Sequence, residues 1–106
     1  MTERTRTVTP VFDPLTGPLV PVTANGTEWV VVVAHGAAVS RWCPHQDADL
    51  ARGSVVGPAL KCPLHGFLFE SRTGRGMNCR LTTESRPAAL LDGHWHVDGV
   101  PADVTP

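Results

Sequence analysis

Short runs of apolar and β-branched residues recur along the chain, with polar or turn-forming residues between them. No segment places its apolar residues at the i, i+3, i+4, i+7 spacing of an amphipathic helix, and runs of this length are typical of strands. The pattern therefore predicts strands at Pro18–Thr23, Glu28–Ala34, Ala37–Trp42, Ala59–Cys62, Phe67–Glu70, Ala88–Leu91 and His94–Val97.

Turn-forming dipeptides separate these strands. Asn25-Gly26 and Asp92-Gly93 indicate type I′ hairpin turns, because both central positions of that turn need a positive φ that these residues adopt at low cost. Further breaks fall at His35-Gly36, Gly57-Pro58 and Thr73-Gly74. Hairpins of this kind predict an all-β, antiparallel sandwich.

The length of the chain limits the number of domains, and its net charge limits the kinds of binding partner. A chain of 106 residues forms one core, so we expect a single domain over 1–106, with loosely held ends at 1–7 and 101–106. The formal net charge of −1 gives no broad basic surface for nucleic acid or anionic lipid. The longest apolar stretch, residues 29–34, is too short to cross a bilayer, and the polar start is unlike a signal peptide. We therefore expect a cytoplasmic protein with neither nucleic acid nor membrane as a partner.

Two of the three cysteines lie close to histidines, in Cys43-Pro44-His45 and Cys62-Pro63-Leu64-His65. The full pattern is C-x-H-x16-C-x2-H. An odd number of cysteines argues against a disulfide framework. Each pair opens a loop, about 43–50 and 62–67, that directly follows a predicted strand. Two such loops at one end of an antiparallel fold can meet at their tips, which predicts a metal centre.

The ligand types narrow the choice of metal. One thiolate and one imidazole from each loop suit a two-iron, two-sulfur cluster with both cysteines on one iron and both histidines on the other. A structural zinc site uses the same ligand types and is the alternative, but such sites more often take two cysteines from one C-x2–4-C segment. Iron ligated fully by sulfur and nitrogen has no open position for a substrate, so the cluster predicts electron transfer.

The residues around the two pairs resemble the Rieske iron-sulfur proteins. Residues 43–50 with Gly53, and residues 62–69 with Thr73-Gly74, are similar to the cluster loops of the ferredoxins that serve ring-hydroxylating oxygenases. The similarity extends over about Trp29–Val97. It implies a β-sandwich with a small cluster-binding subdomain, and one [2Fe-2S] cluster near the surface. The implied ligands are Cys43, His45, Cys62 and His65.

The same resemblance implies a role. We expect a soluble monomeric carrier that takes one electron from an NAD(P)H-dependent flavoprotein reductase and passes it to a terminal oxygenase. We do not expect the chain to be an enzyme, because 106 residues leave no room for a catalytic iron domain. The alternative is a small subunit of a larger enzyme such as an assimilatory nitrite reductase, a family that often loses the cluster ligands present here.

Other chemistry-bearing residues have simpler interpretations. Cys79 is expected to be a buried or idle cysteine, with a fifth ligand or a redox switch as the alternatives. His94 and His96 fall on one face of a predicted strand. With Asp98 they could form a second metal site, although a solvated strand face is the better interpretation. His35, in a turn, is expected to be exposed to solvent.

Charged and aromatic residues also lie near the first loop. Asp47 and Asp49, beside His45, form either an acidic rim that steers docking to a basic partner or a merely solvated loop. Trp42 is expected to be a core or rim aromatic, and because it adjoins Cys43 it could also shield the cluster.

The residues expected around the cluster predict its reduction potential. Respiratory members of the family carry an additional cysteine in each loop and hydroxyl groups that stabilise the reduced state. The resemblance places Ala48 and Leu64 at the cysteine positions, and Phe67 and Phe69 at the hydroxyl positions. Because these side chains donate no hydrogen bond to the added electron, we expect a midpoint near the low end of the Rieske range, about −150 mV. A redox titration measures it, and a midpoint clearly above zero would contradict the argument.

Overall fold

The computed structural model describes residues 17–64 and 66–105, and in this part of the chain nearly all regular structure is antiparallel strand. Two short 3₁₀ turns accompany the strands, Val33–His35 and Leu50–Arg52. The expected all-β antiparallel class is therefore confirmed. The strands are β1 Leu19–Ala24, β2 Thr27–Val32, β3 Ala37–Ser40, β4 Ser54–Val56, β5 Ala59–Lys61, β6 Leu68–Glu70, β7 Ser85–Leu91, β8 His94–Val97, β9 Val100–Pro101 and β10 Asp103–Val104.

The strands form two sheets. Seven of them pair in the order β10-β1-β2-β3-β7-β8-β9, and the other three pair in the order β4-β5-β6. Strands β3 and β7 are neighbours in the large sheet, with Ala38 opposite Arg86. The chain between them, residues 41–84, carries the whole small sheet and both cysteine loops. This excursion forms the small subdomain that the sequence predicts.

The hairpin turns follow the predicted chemistry. Asn25-Gly26 has φ values of 51° and 81°, and Asp92-Gly93 has values of 50° and 79°. Asp98-Gly99 adopts the same conformation between β8 and β9, with φ values of 52° and 81°. Positive φ at both central residues matches the right-handed twist of the flanking strands, so each turn closes a tight antiparallel pair.

The structure differs from the sequence expectation in two segments. Strand β4 was not predicted, because it has only three residues and none of them is fully buried. Residues 101–105 are not a loose end, since Val104 pairs with Val22 and the Thr105 amide donates to the Pro21 carbonyl. Ala102, between β9 and β10, is buried, which fixes this end against the core. Residues 1–7 lie outside the described part of the chain.

Strand β2 is buried on both faces, which explains its continuous apolar run. Trp29 and Val31 face one hydrophobic cluster, and Val30 and Val32 face another. The first cluster is formed mainly by side chains of the large sheet, and its members include Val20, Val22, Trp95 and Val97. The second joins the large sheet to the small subdomain, and its members include Cys43, Leu50, Leu60, Cys62 and Phe69. Both cysteines of the predicted centre therefore belong to the core.

A glycine in the subdomain supplies a stability test. Gly74 has a φ of 78°, and a Cβ there would lie 1.9 Å from the Thr83 carbonyl oxygen. Gly74→Ala should lower the free energy of unfolding by about 3 kcal/mol, because the strained backbone and the steric clash add together. Gly57 also has a positive φ, 55°, but its Cβ position is open, so Gly57→Ala should cost only about 1 kcal/mol. Chemical denaturation measures both variants, and equal losses would contradict the close contact.

Candidate metal centre

The first cysteine loop is closed by two backbone hydrogen bonds. The Cys43 amide donates to the Ala48 carbonyl over 2.8 Å, and the Asp47 amide donates to the Cys43 carbonyl over 2.9 Å. Asp47 adopts a left-handed conformation with a φ of 54°. The loop is therefore a compact turn that begins at its cysteine and leaves the side chains of residues 44–46 at its tip.

The second loop repeats this arrangement. The Cys62 amide donates to the Phe67 carbonyl over 2.8 Å, and the Gly66 amide donates to the Cys62 carbonyl over 3.2 Å. Gly66 has a φ of 70° and occupies the place that Asp47 has in the first loop. In both loops the cysteine amide bonds five residues ahead, and the residue four places ahead is left-handed. The two loops are thus matched supports for their cysteines.

The loops bring three of the four predicted ligands together. The ligand atoms of Cys43, His45 and Cys62 all lie within 4.8 Å of one another. The Nδ1 atom of His45 is 2.9 Å from Cys43 Sγ, so this ring nitrogen faces the inside of the site. Both cysteines are free thiols and only 0% and 1% exposed, whereas His45 is half-buried. The fourth, His65, lies outside the described residues.

Burial controls the chemistry of the thiols. Removal from water raises the pKa of the Cys43 thiol, since a thiolate in an apolar core is poorly solvated. Binding a metal cation reverses this preference, because the cation holds the deprotonated sulfur. Two buried sulfurs and an inward-facing imidazole nitrogen therefore fit the donor set of an iron-sulfur cluster. Phe67 packs edge-on against His45, with ring centroids 4.7 Å apart.

An ion pair fixes the base of the first loop. Arg41 donates from Nε to Asp49 Oδ1 over 3.0 Å and from a terminal nitrogen to Oδ2 over 3.1 Å. Asp49 also accepts a hydrogen bond from the Ala51 amide and so caps the 3₁₀ turn that follows. Asp49 is thus a structural residue and not part of a free acidic rim, whereas Asp47 is exposed. The role of Arg41 is not predictable from the sequence, because no local pattern links a strand-end arginine to a carboxylate eight residues later.

Trp42, expected to be a core or rim aromatic, lies at the surface. It is 41% exposed, and its Nε1 donates to Glu28. His35, expected to be exposed, is half-buried with its Nδ1 atom against the Ser71 hydroxyl.

The remaining candidates lie outside the group of three ligands. The shared face predicted for His94 and His96 is the outer face of β8, since Trp95 between them points into the core. Cys79 packs half-buried beside the second hydrophobic cluster. Among the described residues, Cys43, His45 and Cys62 are the group able to hold a metal ion.

Fold and site together define a small antiparallel β domain in which two matched loops, each beginning with a cysteine, bring three potential metal ligands together. Residues 8–90 match the model of the Rieske [2Fe-2S] domain family. The chain therefore belongs to the Rieske [2Fe-2S] domain family, as the cysteine and histidine pattern indicates. One Rieske-type [2Fe-2S] cluster is the cofactor of this domain, and the domain is an electron-transfer unit.

Solved structures agree with this assignment. The ferredoxin of carbazole 1,9a-dioxygenase from Nocardioides aromaticivorans IC177 is 30% identical, with a TM-score of 0.58 over 85% of this chain and 88% of that one. A chain in a complex of reduced oxygenase and oxidised ferredoxin of carbazole 1,9a-dioxygenase is 26% identical, with a TM-score of 0.65 over 78% of this chain and 82% of that one.

Curated relatives are much longer. A cholesterol 7-desaturase from Hemicentrotus pulcherrimus is 36% identical over 82 residues, and one from Xenopus laevis is 32% identical over 75 residues. These matches cover 72% and 58% of this chain, but only 18% and 16% of the desaturases. Within the described residues, no helix is long and apolar enough to span a membrane.

The ion pair at the first loop leads to a prediction. The hydrogen bond from Arg41 lowers the pKa of Asp49 below its ordinary value. Asp49→Asn should reduce the free energy of unfolding by about 2 kcal/mol at pH 7. A lowered carboxyl pKa stabilises the fold above the pKa of the unfolded chain, about 4. The difference between wild type and variant should therefore be full above that pH and shrink as the pH falls further.

Asp47→Asn is the matched control for this prediction. Asp47 is exposed, and asparagine tolerates its left-handed backbone, so the change should alter stability by less than about 0.5 kcal/mol. Urea denaturation of both variants at several pH values provides the comparison. Equal stability of the Asp49 and Asp47 variants would show that the ion pair does not hold the loop.

Proposed function

We propose that Cys43, His45, Cys62 and His65 together ligate one Rieske-type [2Fe-2S] cluster, with the two thiolates on one iron and the two imidazoles on the other. The observation that carries this proposal is the meeting of three of these side chains within 4.8 Å at the tips of two matched loops. The sequence places His65 in the second loop, one residue before the left-handed Gly66. Such a cluster supplies one-electron transfer when bound.

The solvent exposure of the proposed ligands indicates the side of the cluster from which an electron would leave. The thiols of Cys43 and Cys62 are buried, whereas His45 is only half-buried. The histidine side of the centre is therefore the side closer to solvent, and it is the shorter route for an electron to a partner. Two neutral imidazoles in place of thiolates make the cluster less negative, which eases the addition of an electron.

We propose that the chain is an electron carrier and not itself an enzyme. It would accept an electron from an NAD(P)H-dependent flavoprotein reductase and deliver it to a terminal oxygenase as a cytoplasmic monomer. The similarity to the carbazole 1,9a-dioxygenase ferredoxins supports this role, since the match covers 88% of one of them. The structure with both an oxygenase and a ferredoxin supports an oxygenase as the electron acceptor.

A second candidate function is favoured by the cholesterol 7-desaturases, which are more similar in sequence than the solved ferredoxins. In that case the same domain would feed electrons to a catalytic part of an oxygenase-type enzyme. A reconstituted system discriminates between the two. A carrier is reduced by a separately purified flavoprotein reductase and in turn reduces a separately purified oxygenase, with turnover dependent on the carrier concentration.

The ligand assignment predicts a spectroscopic result. Purified protein should be brown and contain two irons and two acid-labile sulfides per chain, and reduction should give the paramagnetic signal of low average g typical of histidine-ligated clusters. Cys62→Ser and His65→Ala should each abolish that signal, because both loops are needed to complete the cluster. Absorption, metal analysis and electron paramagnetic resonance provide the readout.

Matched controls come from the same chain. Cys79→Ser removes the third cysteine, and His94→Ala removes an exposed histidine of β8, so both variants should retain the full signal. Colourless protein with one zinc per chain would overturn the cluster assignment. Retention of the signal in His65→Ala would overturn the choice of the fourth ligand.

A further inference from the structure

An open groove runs beside the second cysteine loop. It has a volume of about 420 Å³ and lies where β4 begins and β5 ends. These strands are in register there, with Ser54 opposite Lys61. Side chains on its walls and rim include Arg52, Ser54, Lys61, Pro63 and Leu64. Cys62 also borders the groove, which places it next to the metal centre.

The charged side chains that line this groove are basic and exposed to solvent. Arg52 and Lys61 are both exposed, and neither forms an ion pair with another described residue. The nearby carboxylate of Asp49 is bound by Arg41 in a two-point contact, and it attracts Arg52 only over a distance longer than an ion pair. Lys61 is also the only lysine in the sequence. Within residues 17–64 and 66–105, no carboxylate forms an ion pair with Arg52 or Lys61, and both cations line the groove that Cys62 borders.

The position of Lys61 is fixed by its neighbours. A Cβ at Gly66 would lie 3.4 Å from Lys61 Cε, so the lysine stem extends along the second loop. A Cβ at Gly53 would lie 2.1 Å from the Lys61 carbonyl oxygen, so β4 approaches this residue closely. Leu64 at the rim is 58% exposed. The groove thus combines two exposed cations with one exposed apolar side chain.

We propose that this groove receives carboxylates from an acidic surface of the protein that exchanges electrons with the cluster, with Leu64 as the apolar contact. The proposal rests on the proposed electron-transfer function. A partner must approach the cluster closely, and unpaired cations at that point favour a negative surface through faster encounter and correct orientation. The polarity is opposite to that of an acidic rim on the first loop.

Electron exchange with small charged complexes tests the local charge. In each reaction the reduced protein gives one electron to the oxidant, either anionic ferric EDTA, which becomes ferrous, or cationic hexaammineruthenium(III), which becomes ruthenium(II). At low salt, Lys61→Glu and Arg52→Glu should each slow the reaction with the anion about threefold to tenfold and accelerate the reaction with the cation. Added salt should remove these differences, because it screens exposed charges.

Arg75→Glu is the control with the same change in net charge. Arg75 is exposed at the far end of the small sheet, where its carbonyl accepts from the Glu70 amide. Glu70 pairs with Ala59, at the end of β5 opposite Lys61. Rates for Arg75→Glu should change less than those for Lys61→Glu, because the effect of a charge falls with its distance from the site of electron exchange. If this variant changes the rates as much as Lys61→Glu, net charge and not the groove controls the reaction, and the proposal fails.

A second measurement does not depend on the cluster. Carbodiimide should couple poly-L-glutamate to Lys61, and peptide mapping should find this amine in preference to the N-terminal amine. Lys61→Arg should lose the coupling but keep the wild-type electron-exchange rates, because it preserves the charge. Coupling mainly at the N-terminus would overturn the groove. Coupling at Lys61 in a protein without iron would instead overturn the proposed electron transfer and leave the groove standing.

Discussion

The structure depends on the burial of two thiol groups at one point. Cys43 and Cys62 lie in the same hydrophobic cluster, almost wholly removed from water. Burial favours the neutral thiols, as the raised pKa of Cys43 indicates, whereas a metal favours the thiolates. The apolar residues around the sulfurs therefore make metal binding and formation of the subdomain core parts of one process.

This requirement explains why the subdomain is built from two copies of one turn. Each loop returns to its cysteine through the same pair of backbone hydrogen bonds, with a left-handed residue at the fourth place after it. Asp47 fills this place in one loop and Gly66 in the other. The sequence spacings differ, C-x-H against C-x2-H, but the backbone supports are equivalent. The cysteine is thus the fixed point of each loop, and the histidine position varies around it.

Much of this arrangement is readable from the sequence, because strongly local signals determine it. The positive-φ dipeptides mark two hairpins, and the cysteine and histidine spacing marks the loops and the family. Contacts between distant positions are not readable in this way. Examples are the bond between Arg41 and Asp49 and the pairing of Val104 with Val22. Strand β4 is not predictable for a different reason. It has three residues and little burial, so its sequence shows no alternation of apolar and polar positions.

The charged side chains near the two loops also differ in what they contact. At the first loop the carboxylate of Asp49 is used internally, since it binds Arg41 and caps the next turn. Glu28 adds to the same network through a 3.7 Å contact with Arg41. Beside the second loop, Lys61 and Arg52, which comes from the 3₁₀ turn after the first loop, are exposed and line the groove. The first loop therefore uses its charges for rigidity, and the second can use its charges for recognition. This division would let the proposed docking surface change its charge without altering the geometry that holds the cysteines.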